Sequence, residues 1–233
     1  MSRPFRLDLG DGHHLAGDEL AGTGPCYLFL HGLGSVRSGV KSESLLAHAR
    51  NRGRAFLRVD LRGHGESSDR IGQAKLSDIV TDVARLLERT GPAVIVGSSL
   101  GGLVGAYAAA AHPARVEGLA LLAPALGLMS NLAERLDTEG RLWTSDGRSH
   151  VVAAEVLADA RALDERSLPL RLRTPTLVVH GTADVVVPQQ ASERFFAAIP
   201  HPRKQLWLVP GGDHRLADVA DDIWRRLDEL LAR

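Results

Sequence analysis

The sequence predicts an α/β fold, with a mostly parallel sheet of about eight strands flanked by helices. Three observations carry that expectation. Short apolar runs alternate with segments of helical period, the rhythm of strands joined by right-handed crossovers. Val94-Ile95-Val96 runs into Gly97-Ser98-Ser99-Leu100-Gly101-Gly102 and then an Ala-rich stretch, so a buried strand, a sharp turn and a helix start follow one another directly. The length of 233 residues suits one domain of this class. Its core is expected over 1–124 and 174–233, with a small cap insertion at about 125–173.

Phe5 to Leu9 and His13 to Leu20 read as strands joined by the hairpin dipeptide Asp11-Gly12. Gly22-Thr23-Gly24-Pro25 breaks the chain before a continuous apolar strand, Cys26 to Leu30, of the kind buried on both faces. That strand ends in the Gly-rich loop His31-Gly32-Leu33-Gly34-Ser35, at a carboxyl edge where ligands of open α/β sheets bind. A helix around Ser42 to Arg50 leads to the strand Ala55 to Val59. Leu76 to Arg89 places Ile79, Val83, Leu86 and Leu87 on one helical face. The strand before Ser99 comes next, then a helix to about Ala111 and a strand from Val116 to Ala123.

Beyond Pro124 the rhythm lapses. Asn131 to Leu136 and Val151 to Leu163 read as helical, with Trp143-Thr144-Ser145-Asp146-Gly147 as a turn or short extended piece. About fifty residues is too few for an independent domain and suits a short helical cap over the sheet edge. The rhythm returns with a strand from Thr176 to Val179, a helix near Gln189 to Ala198 and a strand from Gln205 to Val209. A turn at Gly211-Gly212-Asp213-His214 precedes an amphipathic helix from about Leu216 to Leu231.

Composition narrows the function. Basic and acidic residues balance at 28 each, which points away from nucleic acid and anionic membranes as partners. No apolar run is long enough to span a bilayer, and the N-terminus lacks a secretory apolar segment, so a cytoplasmic protein is expected. Cys26 is the single cysteine and sits in an apolar run, where it is expected to behave as a small hydrophobe. No cofactor or metal is called for, and the protein is expected as a monomer or homodimer.

Gly-x-Ser-x-Gly alone leaves Ser99 open between a reactive hydroxyl and an ordinary tight turn. A serine nucleophile needs a base, and the base needs an orienting acid. Asp184 follows a predicted strand and His214 follows the last one, so both fall on the same sheet edge as Ser99, in the order Ser, acid, His. Asp60 comes before Ser99 and reads as a turn holding its own backbone; Asp213 adjoins His214 and is badly placed to orient its ring. His31 and His64 read as loop-formers, and His180 as a strand end. The backbone N–H groups of Leu33 and Leu100 are the natural oxyanion donors. Leu126, Leu128, Met129, Trp143, Val185 and Val186 are candidates to line an apolar acyl pocket, most of them being expected as ordinary packing.

These motifs, with Asp60-Leu61-Arg62-Gly63-His64-Gly65-Glu66-Ser67 and His180-Gly181-Thr182-Ala183-Asp184, resemble the α/β-hydrolase superfamily over essentially the whole chain. The short cap, the Gly-Ser-Ser-Leu-Gly-Gly elbow and Gly212-Asp213-His214-Arg215 look most similar to small bacterial carboxylesterases and a related mitochondrial palmitoyl-protein thioesterase that also cleaves acyl glucuronides. The resemblance implies Ser99 as nucleophile, Asp184 as acid and His214 as base, in agreement with the residue-level reading. The expected activity is hydrolysis of a small to medium carboxylic ester through an acyl-enzyme. Acyl-protein or acyl-CoA thioesterase activity is the alternative, followed by acyl transfer, perhydrolysis or non-catalytic ligand binding. A dehalogenase or epoxide hydrolase would need Asp in place of Ser99, and an aminopeptidase of this fold usually carries a larger cap.

Overall fold

Side chains of the central strands alternate between two apolar cores, one on each face of a single sheet. In chain order the strands are β1 (Arg3–Gly10), β2 (His13–Leu20), β3 (Thr23–Leu30), β4 (Arg54–Val59), β5 (Ala93–Ser98), β6 (Val116–Leu122), β7 (Arg141–Trp143), β8 (Ser149–Val151), β9 (Thr176–Gly181) and β10 (Lys204–Val209). The helices are α1 (Val40–Asn51), α2 (Leu76–Thr90), α3 (Leu100–Ala111), α4 (Ala154–Ala162), α5 (Gln189–Ala198) and α6 (Ala220–Leu231). This computed structural model describes residues 2–10, 12–144 and 147–232. Asp11 of the hairpin dipeptide, and Ser145 and Asp146 of the expected turn, lie outside the described residues.

Eight strands pair in the order β1-β2-β4-β3-β5-β6-β9-β10. β1, β2 and β4 are joined antiparallel, and every other pair is parallel. In β3, Leu28 and Leu30 join one core with α2, α3 and α5, while Tyr27 and Phe29 join the other with α1 and α6. That explains the uninterrupted apolar run: a strand covered on both faces has no polar side. Cys26 is buried in the first core, and burial pushes its thiol up to about 12, as befits an inert hydrophobe. Ile79, Val83, Leu86 and Leu87 of α2 are buried as their spacing predicts.

Outside the 125–173 segment, two local expectations need correction. β3 begins at Thr23, inside the stretch expected to break the chain; Thr23 pairs with Arg54, and an irregularity before Tyr27 absorbs Gly24 and Pro25. The last helix starts at Ala220, because Asp213 Oδ1 accepts the N–H groups of Arg215 and Leu216 and holds a turn there, followed by a short 3-10 segment over Ala217–Val219.

The 125–173 segment, expected as helical, is mixed. Asn131 to Leu136 holds only a single 3-10 turn, Leu132–Arg135. β7 and β8 form a small antiparallel pair, so Val151 lies in a strand and α4 starts only at Ala154. Val151 and Val152 are β-branched neighbours, which favour a strand over a first helical turn. The segment has a small core of its own, including Leu132, Leu142, Val152 and Val156. It is tied down where Asp159 accepts the N–H of Ser77 at 3.0 Å and its hydroxyl at 2.5 Å. Ala153 N–H also donates to the carbonyl of Gly72 at 2.9 Å.

Candidate active site

β5 hands the chain to α3 through one residue. Ser98 is still part of the strand, paired with Leu122, whereas Ser99 stands at the turn with φ 52° and ψ −114°. A non-glycine residue there costs on the order of 1–3 kcal/mol and persists only where its surroundings over-determine it. The surroundings do so by close approach. A Cβ on Gly97 would lie 2.2 Å from the carbonyl oxygen of Gly101, and one on Gly101 would lie 2.2 Å from that of Leu30. The glycines let α3 sit against β3 and β5 and aim its N-terminus, with its positive dipole end, at the turn.

β9 and β10 bring the acid and the imidazole to the same edge. Asp184 Oδ2 accepts a hydrogen bond from His214 Nδ1 at 2.7 Å. Because a carboxylate can only accept, this pair puts the ring proton on Nδ1 and leaves Nε2 as an acceptor. Asp184 Oδ1 accepts the N–H groups of Val186 and Val187 at 2.8 and 2.9 Å. Burial by itself would raise the Asp184 carboxyl, but those backbone donors and the His214 ring outweigh it and hold it below the usual range. Ser99 and His214 line one cavity of about 470 Å³, together with Leu33 and Leu100. No hydrogen bond joins Ser99 Oγ to a partner among the described residues; such contacts often tighten only when substrate is bound.

The N–H groups of Leu33 and Leu100 are likewise unpaired among the described residues. The loop carrying Leu33 is braced from behind. Leu61 N–H donates to His31 Nε2 at 2.9 Å, and Gly34 N–H donates to His64 Nε2 at 3.2 Å. Burial pulls both imidazoles down, His31 to about 4, so each keeps a ring nitrogen free to accept. Asp60 does more than hold its own turn. It is buried and accepts the backbone N–H of Arg37 at 2.7 Å and that of Glu66 at 3.0 Å, tying the Leu33 loop to the 60–67 turn.

The family of alpha/beta hydrolase fold proteins matches residues 28–156, more than half of the chain. The chain belongs to the α/β-hydrolase family. A second family, described as serine aminopeptidase S33, matches residues 149–218. The chain is 29% identical over 222 residues to the mitochondrial palmitoyl-protein thioesterase of Mus musculus, covering 89% of this chain and 75% of that protein. It is 27% identical over 240 residues to the pimeloyl-[acyl-carrier protein] methyl ester esterase of Xylella fastidiosa, covering 84% and 90%. Among solved structures, alpha/beta hydrolase domain-containing protein 10 from mouse superposes with a TM-score of 0.82 at 25% identity, covering 98% of this chain and 99% of that one. Est1E from Butyrivibrio proteoclasticus with ferulic acid bound gives 0.84 at 22% identity, covering 98% and 100%. No helix of this α/β hydrolase, among the described residues, is long and apolar enough to cross a membrane.

The Ser99 cavity of this α/β hydrolase takes in Leu128, Met129, Trp143 and Val186 from the six apolar candidates. Two lie elsewhere. Leu126 is buried in the main core with Phe195 and Leu168. Val185 is 96% exposed, because the two N–H bonds to Asp184 Oδ1 form a tight turn that throws it outward. The sequence reading missed Lys41, Arg135 and Arg215, three cations that line the same cavity. Lys41 Nζ donates to the carbonyl of Arg215 at 2.5 Å, and burial draws its ammonium down to about 8, Arg215 adding to the effect while Asp213 and Asp184 oppose it. Below pH 8 the folded state bears the full cost of that desolvated charge, and the cost is relieved as pH rises from 8 towards the ordinary 10.5. The stability of the parent relative to Lys41→Met is therefore expected to rise between pH 8 and pH 10.5. Urea midpoints measured at pH 7 and pH 10 check this, and a difference that does not change with pH contradicts it.

His180 lies at the end of β9, as expected, and does more than close the strand. Its ring is fully buried, with Nε2 donating to the carbonyl of Val187 at 2.9 Å and Nδ1 facing the Ser192 hydroxyl at 2.7 Å. The same Nε2 lies 3.1 Å from Asp184 Oδ2. His180 thus pins the far end of the Asp184–Val187 turn to α5. His180→Phe strands two buried polar groups and is expected to cost about 2 kcal/mol, read from the urea midpoint. A loss under about 0.5 kcal/mol would mean the ring's polar edge is dispensable.

Proposed function

We propose that this protein hydrolyses carboxylic esters or thioesters through an acyl-enzyme on Ser99. The observation that carries the reading is the 2.7 Å Asp184–His214 bond opening onto the cavity that also holds the strained Ser99 turn. His214 Nε2 takes the Ser99 proton as Oγ attacks the acyl carbon, and Asp184 stabilises the imidazolium that forms. The oxyanion is received by the N–H groups of Leu33 and Leu100, where losing one donor typically costs on the order of 10²–10³ in rate. His214 then gives its proton to the departing alcohol or thiol. Water, deprotonated by His214, attacks the acyl-enzyme carbon, and the intermediate collapses to release the acid and restore Ser99.

The thioesterase and methyl-esterase activities named for the mouse and Xylella relatives support this reaction class. The 125–173 segment acts as a short cap over the site. The deciding experiment is labelling with a fluorophosphonate probe, mapped by peptide mass, alongside turnover of a p-nitrophenyl ester and an acyl-CoA. Modification of Ser99 with turnover of either substrate is the expected result. An unlabelled Ser99 with no turnover would favour a non-catalytic binding protein.

A further inference from the structure

A second, smaller cavity lies directly behind the wall of the Ser99 cavity, with a volume of about 40 Å³. The two share five lining residues: Leu33, Leu100, Met129, Leu132 and Leu142. Beyond that wall it is lined by Leu76 and Ile79 of α2 and by Val152 and Val156 of the 125–173 segment. Among the described residues that line it, the only charged or ring-nitrogen side chains are Arg62 and His64, and each is held by hydrogen bonds. Arg62 Nε and Nη2 donate to the Asp82 carboxylate at 2.9 and 2.8 Å. The two His64 nitrogens face Gly34 N–H and the Arg62 carbonyl. The rest of the lining is mainly apolar side chain, which suits hydrocarbon better than water.

We propose that this chamber seats the end of a linear, saturated acyl chain, and that Met129 is the movable part of the wall through which the chain enters. The inference rests on the hydrolase reading of Ser99. Its direction is set by chemistry: the leaving group departs on the His214 side, and the shared wall carries the residues of both oxyanion donors, Leu33 and Leu100. Size sets the shape of the ligand. A cavity that takes benzene is nearer 150 Å³, whereas a water-sized group fills roughly 30 Å³, so one or two carbons fit and a ring does not. Met129 packs against both the main core and the cap cluster, at the seam between the cavities. An unbranched thioether side chain can change rotamer there without a backbone shift.

Each methylene moved from water into such a site is worth about fourfold in binding. Blocking the chamber should therefore lower the ratio of kcat/KM for octanoate to that for acetate by roughly four- to fifteenfold. The experiment measures p-nitrophenyl acetate, butyrate, hexanoate, octanoate, dodecanoate and 3-phenylpropanoate with the parent, Val156→Phe, Ile79→Phe and Met129→Ala. The parent is expected to prefer hexanoate or octanoate over both acetate and phenylpropanoate. Val156→Phe and Ile79→Phe, filling the chamber from α4 and α2, should lower the octanoate-to-acetate ratio, and Met129→Ala should move the optimum to longer chains. Fluorophosphonate labelling of Ser99 in each variant shows that the site is still assembled.

Labelled filling variants whose chain-length profile matches the parent's overturn the inference and leave the hydrolase reading intact. Absence of both labelling and turnover in the parent removes the hydrolase reading, and the chamber's role with it. Should the filling variants fail to fold, a crystal structure of the parent inhibited by p-nitrophenyl octylphosphonate decides. An alkyl chain passing Met129 into the chamber supports the inference, and one directed out to solvent overturns it.

Discussion

Replacing Ser99 with alanine is expected to lower kcat for a p-nitrophenyl ester by about 10⁶-fold, with little change in stability. In the proposed mechanism the hydroxyl oxygen forms the acyl bond, and no neighbour substitutes for it. Ser99 Oγ has no hydrogen-bond partner among the described residues, so its removal strands nothing and the thermal melt should hold within about 2 °C. Ser99→Gly separates the two costs further. It removes the same oxygen but also relieves the φ of 52°, and is expected to raise stability by about 1 kcal/mol. Steady-state kinetics and thermal melts on both variants check this. Alanine activity within about a hundredfold of the parent would remove Ser99 as nucleophile.

Gly101→Ala is expected to destabilise the fold by at least about 3 kcal/mol, and to lose activity with it. The new methyl would sit 2.2 Å from the carbonyl oxygen of Leu30 and 2.6 Å from that of His31. Neither obstacle is a side chain that can rotate away. Relief requires α3 to move off β3, which would carry the N–H of Leu100 away from the Ser99 turn. A surface helix would welcome the same change, since Ala exceeds Gly in helix propensity by about 1 kcal/mol. The sign therefore decides whether close approach or propensity governs this position. A urea midpoint at or above that of the parent would show that the elbow has room to spare.

The order of strands and helices was legible because each central strand is apolar throughout, and α2 and α6 carry one apolar stripe each. Ser99 and its two glycines were legible for a local reason: a turn that tight needs small residues at fixed offsets. Asp184 and His214 lie far from Ser99 in sequence, but each sits in the loop that follows a strand, and parallel strands deliver those loops to one edge. The 125–173 segment was less legible. Its elements are three to nine residues long, too short for either period to declare itself, and tertiary packing settles them.

The sequence alone determined the α/β order of elements, the Gly97–Gly101 elbow and the three residues that could form a triad. Those depend on period, on small residues at set spacings and on strand ends, all properties of neighbouring positions. Only the tertiary structure decided that Val185 turns to solvent and Leu126 into the core, while Lys41, Arg135 and Arg215 converge on the Ser99 cavity. It alone revealed the chamber behind Met129, and the buried His180 holding the Asp184 turn. These depend on which faces of separate elements meet, as where the 125–173 segment packs against α2. No pattern within one segment records the distance between surfaces that segments bring together.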